Sequence, residues 1–312
     1  MNKRFTFLFP GQGAQSLGMG KEFFEAYPQV RESFQKAEDI LGRHLIKTLF
    51  DGPEETLNLT HNSQPALFIH SLALLEVLKN QLPSIIPKYA LGLSLGEYSA
   101  FVAAGVLSYE ETLKTVDMRG KLMGDACVKN PGTMAVVMGL DSDVVERIVK
   151  EANLPHDLWA ANFNAPGQVV ISGTLRGIEK GTELLKAANA KRVLPLQVQG
   201  AFHSGLMKPA EDELAPYIDA LNINLGAIKV VMNVTADFAK DPSYIKNNLI
   251  LQVSQPVRWS ESITRIDPET DIFIEIGSGQ TLKGLNKRIG VKGVTYSLEK
   301  PQDLELIQKE LG

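Results

Sequence analysis

The chain has 312 residues, which is enough for a full α/β core with one inserted subdomain. Its 44% hydrophobic and 22% charged residues are typical of a globular protein, and the net charge of −4 gives little support for binding nucleic acid. The single cysteine, Cys127, excludes an intramolecular disulfide and fits a reducing compartment. No segment reaches the ~20 apolar residues that span a bilayer, and the apolar run at 5–9 is too short for a signal peptide. We therefore expect a cytoplasmic protein that binds neither a membrane nor nucleic acid.

The first part of the chain alternates between strand and helix patterns. The predicted elements are a buried strand at Phe5–Phe9, an apolar helix at Gln64–Leu78 with Pro65 near its first turn, a strand at Tyr89–Leu91, a helix from Tyr98, and a helix to about Cys127 that Ser108 caps with Glu111 three residues on. This alternation predicts an α/β fold.

A different order of elements follows Pro131-Gly132. Strands at Met134–Leu140, Leu158–Phe163, Gln168–Ser172 and Arg192–Val198, with helices at Ser142–Ala152 and Leu175–Ala188, give the order βαββαβ. This order is that of a ferredoxin-like unit, and we place it at 131–198 as an insertion between 1–130 and 199–312. The α/β alternation resumes after it, with strands at Lys229–Thr235 and Asp271–Ile276 and helices at Pro242–Leu251 and Leu282–Ile289.

The most informative motif is Gly92-Leu93-Ser94-Leu95-Gly96, a G-x-S-x-G sequence between a strand and a helix. In a nucleophile elbow, a serine occupies a strained turn at a helix N-terminus, where backbone N–H groups stabilise developing negative charge. The alternative is a glycine-rich turn without chemistry. The flanking strand and helix favour Ser94 as a nucleophile.

A serine nucleophile needs a base, and the chain has five histidines. His203 follows the last strand of the insertion within Gly200–Gly205, where small residues allow close approach of the backbone, so its position makes it the best candidate. The acid that usually orients such a histidine is not identified, since the aspartates between Ser94 and His203 are all explained equally well by helix positions or N-caps. Orientation by a backbone carbonyl is the alternative.

The glycine turn after the first strand, Pro10-Gly11-Gln12-Gly13, has two interpretations. It lacks the third glycine of a dinucleotide-binding loop and the lysine of a P-loop, which weakens a phosphate-binding role. The other interpretation is an oxyanion hole, in which the backbone N–H groups of Gln12 and Leu95 stabilise a tetrahedral intermediate.

Arg119 interrupts a mostly uncharged helix face formed by Thr112, Val116 and Met123. A guanidinium in such a place needs an anionic partner, which is either a structural ion pair or a substrate carboxylate, unless the side chain reaches out to water.

Five segments together resemble the malonyl-CoA:acyl carrier protein transacylases of bacterial fatty-acid synthesis. They are Phe9–Gln15, Gly92–Glu97, Arg119, Asn162–Gln168 and Ala201–Ser204, and the resemblance extends from Phe5 to about Gly284. It implies an α/β-hydrolase-like catalytic subdomain that carries the ferredoxin-like one.

The resemblance also implies residue roles. It makes Ser94 the nucleophile and His203 the general base and acid, with Gln12 and Leu95 as oxyanion donors and the Gln252 carbonyl orienting His203. It assigns substrate binding to Arg119, Met123, Asn162 and Phe202, of which Arg119 holds the malonyl carboxylate.

The implied partners are malonyl-CoA and acyl carrier protein, with the coenzyme A thioester as substrate. We expect no cofactor, no metal and a monomer, and the sequence by itself does not determine the oligomeric state. The resemblance implies ping-pong transfer through malonyl-Ser94. A thioesterase or esterase would use the same elbow, but a fixed cation at Arg119 favours a dicarboxylic acyl donor. An inactive carrier-binding scaffold would not need Ser94 and His203. The carrier, the pathway and the discrimination against acetyl or methylmalonyl donors stay open.

Overall fold

The computed structural model describes residues 3–311. The chain divides into two compact units, each assembled from separate stretches of sequence. The first unit consists of residues 1–120, 221–231 and 266–312, and the second of residues 121–220 and 232–265.

The strands are β1 (Phe5–Phe9), β2 (Pro87–Gly92), β3 (Thr133–Met138), β4 (Leu158–Ala165), β5 (Gln168–Gly173), β6 (Arg192–Pro195), β7 (Lys229–Val230), β8 (Ile272–Ile276) and β9 (Val294–Leu298). The α-helices are α1 (Lys21–Ala26), α2 (Pro28–Leu41), α3 (Ile46–Asp51), α4 (Glu54–Asn58), α5 (Thr60–Gln81), α6 (Gly96–Ala103), α7 (Tyr109–Lys129), α8 (Ser142–Glu151), α9 (Leu175–Ala187), α10 (Lys208–Asp219), α11 (Pro242–Leu251), α12 (Trp259–Ile266), α13 (Thr281–Ile289) and α14 (Pro301–Leu311).

The first unit contains a parallel sheet with the strand order β7-β2-β1-β8-β9. All residues of β1 and β8 are buried, as expected for the central strands of a parallel sheet that helices cover. Helices α5 and α6 pack against these central strands, and α13 and α14 pack against β9. The carboxyl ends of β1 and β2 lie side by side, with Phe9 opposite Gly92, so the loops that follow them meet at one edge of the sheet.

The second unit contains an antiparallel sheet with the strand order β4-β5-β3-β6. Its elements follow the order βαββαβ, and helices α8 and α9 pack against the strands. Buried side chains from both helices and from β3, β4 and β5 form the core, including Val137, Val145, Phe163, Ile171 and Leu185. The core side chains of β3 and β5 recur at every second residue, as the two-residue repeat of a strand requires.

Most predicted elements are found within a few residues of their expected bounds. Ser108 caps α7, with its Oγ accepting the Glu111 N–H at 3.3 Å and donating to the Glu111 carboxylate at 2.7 Å. The apolar helix begins at Thr60, four residues earlier than expected, so Pro65 lies in its second turn and not its first. Pro65 has no N–H to donate to the His61 carbonyl, which instead accepts from Arg43 at 2.6 Å.

Two predicted strands are shorter than expected. The strand predicted at 229–235 forms only as β7, because the chain turns after it, with the Ala236 N–H donating to the Met232 carbonyl at 2.9 Å. The strand predicted at 192–198 stops at Pro195. The Leu196 N–H still donates to the Met134 carbonyl at 2.9 Å, but the chain then turns, with the Val198 N–H donating to the Leu196 carbonyl at 3.1 Å.

No element is predicted between Phe9 and Gln64, where the structure has four helices. Three of these, α1, α3 and α4, have six residues or fewer and no side-chain cap, which removes the usual signals.

His70 lies wholly buried in α5. Within residues 3–311 neither of its ring nitrogens has a hydrogen-bond partner, and burial lowers its pKa to about 4. The folded protein therefore keeps this imidazole neutral at a pH where an unfolded chain, with a pKa near 6.5, takes up a proton. Stability contributed by the neutral side chain is complete above pH 6.5 and falls as the pH drops toward 4.

We predict that lowering the pH from 7 to 5 destabilises the wild type by roughly 2 kcal/mol more than it destabilises His70→Leu. Urea denaturation at each pH measures this difference. His156→Leu is the matched control, because His156 is exposed, and it should keep the wild-type pH dependence. Parallel stability curves for the wild type and His70→Leu would contradict the prediction.

Candidate active site

Ser94 lies on a sharp turn between β2 and α6, as the motif predicts. Its φ of 53° is in the left-handed region, which is uncommon for a residue other than glycine. The two flanking glycines let the backbone fold back on itself, since a Cβ on Gly92 would collide with the backbone of Gly96, and one on Gly96 with the Phe9 carbonyl. The Glu97 and Gly96 N–H groups donate to the Ser94 and Leu93 carbonyls, which starts α6 at this point. The geometry is that of a nucleophile elbow.

Arg119 is completely buried, and its guanidinium contacts Ser94 directly. Its Nη2 donates to Ser94 Oγ at 3.2 Å and its Nη1 donates to Gln64 Oε1 at 2.6 Å. The guanidinium also lies over the Tyr98 ring, 5.5 Å from the centroid. Burial lowers the pKa of Arg119, yet an arginine side chain keeps its charge in proteins, so the elbow has a fixed cation beside it. The expectation that Arg119 could reach out to water is wrong, because the side chain has no exposed surface.

A chain of hydrogen-bonded side-chain amides holds the Arg119 guanidinium in place. Gln64 accepts from Arg119 through Oε1, so its Nε2 donates onward to Gln12 Oε1 at 3.3 Å, and Gln12 Nε2 donates to Thr60 Oγ1 at 3.2 Å. Gly120 lets α7 lie close to the start of α5, since a Cβ there would lie 2.8 Å from the Thr60 carbonyl oxygen. Sequence reasoning missed Gln64; the only signal is a polar residue near the start of an otherwise apolar helix.

The glycine turn after β1 has an ordered backbone. The Gly13 N–H donates to Gln15 Oε1 at 2.7 Å, and Gln15 Nε2 donates to Asn58 Oδ1 at 2.8 Å, which holds the turn against α4. Among the contacts of residues 3–311, the backbone N–H groups of Gln12 and Leu95 donate to no protein acceptor. Both predicted oxyanion donors therefore remain available to a ligand.

His203 belongs to the second unit, where it is 4% exposed and has a φ of 56°. Its Nδ1 lies 2.8 Å from the Gln252 carbonyl oxygen at the C-terminal end of α11. A carbonyl can only accept, so Nδ1 carries the proton and Nε2 of the neutral ring presents its lone pair, as a general base requires. The structure places the Gln252 carbonyl where the predicted orientation of His203 needs an acceptor, and the orienting role stays a prediction.

A cavity of about 740 Å³ in the second unit has His203 in its wall. His156, Trp159, Lys208 and Ser254 also line it.

Two of the aspartates considered for orienting His203 have other partners. Asp117 accepts from Arg43 at 2.6 Å, and Asp157 accepts from the Thr174 hydroxyl at 2.7 Å. Each of these contacts joins two segments within one unit.

The remaining predicted site residues are buried, and their roles stay predictions. Met123 is 2% exposed, Asn162 8% and Phe202 6%, and all three belong to the second unit. Within the first unit, the structure brings together Ser94, Arg119 and Gln12, with Gln64 between the last two. Within the second unit, it brings together His203 and Gln252.

The described residues contain no cluster of histidine, cysteine, aspartate and glutamate that could hold a metal ion. None of the helices within 3–311 combines the length and apolar character that crossing a membrane requires. Burial raises the pKa of the Cys127 thiol to about 12, so this thiol is not a nucleophile at neutral pH.

Comparison with known proteins identifies the family. The model of the acyl transferase domain matches residues 6–288. The malonyl CoA-acyl carrier protein transacylase of Bacillus subtilis is 43% identical over 308 residues, which is 97% of this chain and 96% of the relative. The corresponding protein of Haemophilus influenzae is 41% identical over 92% of each chain.

Solved structures agree with this assignment over the whole chain. An acyl carrier protein S-malonyltransferase from Vibrio cholerae has 39% identity and a TM-score of 0.93, covering 98% of this chain and 100% of its own. A malonyl-transacylase in complex with a type II polyketide-synthase acyl carrier protein has 38% identity and a TM-score of 0.94, with 99% and 100% covered. The chain is therefore an acyltransferase that belongs to the malonyl CoA-acyl carrier protein transacylase family.

Proposed function

We propose that this protein transfers the malonyl group of malonyl-CoA to the phosphopantetheine thiol of an acyl carrier protein, through a malonyl ester on Ser94. The observation that carries the proposal is the buried Arg119 guanidinium, which donates to Ser94 Oγ at 3.2 Å. A cation fixed beside a nucleophilic serine suits an acyl donor whose far end is a carboxylate. The names of the relatives support the same substrates.

In the first half-reaction, Ser94 Oγ attacks the thioester carbonyl of malonyl-CoA while His203 Nε2 takes the hydroxyl proton. The tetrahedral intermediate collapses, the C–S bond breaks, and the proton on His203 goes to the departing thiolate of coenzyme A. The Gln252 carbonyl, 2.8 Å from Nδ1, stabilises the imidazolium that exists between these two steps. Coenzyme A is thus a product, and the reaction needs no cofactor.

The oxyanion of the intermediate is bound by the backbone N–H groups of Gln12 and Leu95. Neither donates to another acceptor among the described contacts, so no bond has to break before the oxyanion forms. Each such donor contributes about 3 kcal/mol to lowering the barrier in enzymes with oxyanion holes. Leu95 is also the N-cap residue of α6, whose dipole favours negative charge there.

The second half-reaction reverses the first with a different thiol. His203 takes the proton of the phosphopantetheine thiol, the thiolate attacks malonyl-Ser94, and the same proton returns to Ser94 Oγ as the ester bond breaks. Arg119 holds the malonyl carboxylate through both steps. We assign Met123, Asn162 and Phe202 to the walls that enclose the acyl chain and exclude water, which their burial supports.

We also propose the finer description of the fold. An α/β-hydrolase-like subdomain at 1–130 and 199–312 carries a ferredoxin-like subdomain at 131–198, which the βαββαβ order of the antiparallel sheet supports. These bounds are narrower than the compact unit around that sheet, which extends over 121–220 and 232–265. We also propose that the protein is a monomer located in the cytoplasm.

The proposed intermediate is tested by incubating the protein with malonyl-CoA and measuring its intact mass. We expect a malonyl adduct that is absent in Ser94→Ala and that carrier protein discharges much faster than water does. Ser99→Ala, a buried serine on the adjoining helix, is the matched control and should still form the adduct. Rapid discharge to water alone indicates a hydrolase, and absence of both adduct and turnover indicates a scaffold.

Replacing Arg119 with alanine tests the carboxylate site. We expect Arg119→Ala to lose kcat/KM for malonyl transfer by 10²-fold or more, about 3 kcal/mol, because a charge-assisted bidentate contact is removed. Transfer from acetyl-CoA, which has no carboxylate, should fall much less. Steady-state kinetics with both donors measure this selectivity, and equal losses for the two donors exclude the role.

Gln64→Leu tests whether the amide chain holds Arg119 in place. The variant removes the acceptor 2.6 Å from Nη1 and leaves the buried cation with one fewer partner, so we expect about a tenfold rise in KM for malonyl-CoA. Gln35→Leu, an exposed glutamine on α2, is the control. An unchanged KM in Gln64→Leu contradicts this support role.

A further inference from the structure

A buried carboxylate on α10 has no part in the mechanism above. Glu211 lies in the first turn of this helix and is 4% exposed. Its Oε1 lies 2.7 Å from Lys208 Nζ, and its Oε2 accepts a hydrogen bond from Ser254 Oγ. Burying a carboxylate is unfavourable unless both of its oxygens have polar partners. The buried Glu211 side chain therefore depends on both Lys208 and Ser254.

Ser254 lies in the turn that follows α11, two residues beyond Gln252. The backbone of this turn is fixed by hydrogen bonds back into the helix, from Gln252 N–H to the Asn248 carbonyl at 2.9 Å and from Ser254 N–H to the Leu251 carbonyl at 3.1 Å. The Gln252 carbonyl that accepts from His203 therefore belongs to the same hydrogen-bonded turn as Ser254. The hydrogen bond from Ser254 to Glu211 therefore also restrains the position of the Gln252 carbonyl.

His203 is connected to the other side of the same contact. It lies five residues before the start of α10, and Ser204 closes the connection between them. The Ser204 hydroxyl donates to the Ala201 carbonyl at 2.6 Å and accepts the Leu206 N–H at 3.2 Å. A short segment with its own hydrogen bonds thus connects the imidazole to the helix turn that contains Glu211.

The contact between Glu211 and Ser254 consequently joins the segment that carries the imidazole to the segment that carries its hydrogen-bond acceptor. We infer that Glu211 and Ser254 are positioning residues, which set the distance between His203 Nδ1 and the Gln252 carbonyl and so keep the proton on Nδ1. This inference rests on the proposed role of His203 as the base.

Loosening the link has a defined chemical consequence. A carbonyl that accepts from Nδ1–H stabilises the charged imidazolium more than the neutral ring, so a longer contact lowers the pKa of His203. A longer contact also lets the proton move to Nε2, the nitrogen that must be unprotonated to act as a base. Both changes reduce kcat and leave binding of malonyl-CoA untouched.

The test compares Ser254→Ala and Glu211→Ala with two matched variants. Asp212→Ala removes the other carboxylate that binds Lys208, at 2.6 Å, but has no contact with Ser254, and Ser254→Thr retains the hydroxyl. All four variants keep the other ionisable groups that line the cavity beside His203, which are Glu146, Lys150, His156 and Lys208. The readouts are kcat and KM for malonyl transfer to carrier protein, NMR titration of the His203 ring assigned with His203→Gln, and thermal stability.

We expect Ser254→Ala and Glu211→Ala each to lower kcat about tenfold with KM unchanged, and to move the His203 titration down by roughly half a pH unit. The double variant should be no worse than either single one, because both break the same contact. Asp212→Ala and Ser254→Thr should match the wild type.

A fall in thermal stability with an unchanged His203 titration overturns the inference, since the pair is then only structural. An equal effect in Asp212→Ala overturns it too. A different result would contradict the proposed function, namely that wild-type protein forms no malonyl adduct. Even then, the NMR titration shows whether Glu211 and Ser254 affect His203.

Discussion

The first unit is built around one demanding constraint, a guanidinium with no exposed surface next to a serine hydroxyl. A charge in an apolar interior needs polar partners in fixed positions, because water cannot solvate it. Gln64 and Ser94 provide two of these partners, and Gln12 and Thr60 extend the polar chain behind Gln64. This need explains why the otherwise apolar helix α5 buries the polar side chains of Thr60 and Gln64 near its N-terminus.

The backbone around Ser94 meets a second constraint, which is steric. Three glycines, Gly11, Gly92 and Gly96, lie where a Cβ would collide with a neighbouring main chain. They bring the loop after β1 against the elbow after β2, so that the N–H groups of Gln12 and Leu95 belong to adjoining turns. Close packing of main chain, and not side-chain chemistry, thus produces the two donors that the proposed oxyanion hole uses.

In the second unit, the ring of His203 contacts a neutral group. The Gln252 carbonyl accepts from Nδ1 as an aspartate would, but adds no negative charge that would have to be buried beside the ring. The carboxylate in this region, Glu211, is instead paired with Lys208 and Ser254. The group that contacts the His203 ring is therefore not the group that carries the buried negative charge.

The sequence by itself determined the features that depend on neighbouring residues. The turn at Ser94, the cap at Ser108 and the βαββαβ order all follow from spacing, propensity and glycine placement within a few residues. The odd placement of Arg119 was equally visible, and so was His203 in a loop of small residues.

Only the tertiary structure decided what these residues contact. Gln64 meets Arg119 across 55 positions and Ser254 meets Glu211 across 43, while the contact of Gln252 with His203 across 49 positions was implied only by the resemblance to a family. No local preference encodes such pairs, because each depends on how two separate elements pack, and a buried glutamine or serine resembles a surface one in sequence. The short helices α1, α3 and α4 and the early end of β7 have the same origin, since packing and not propensity stabilises them.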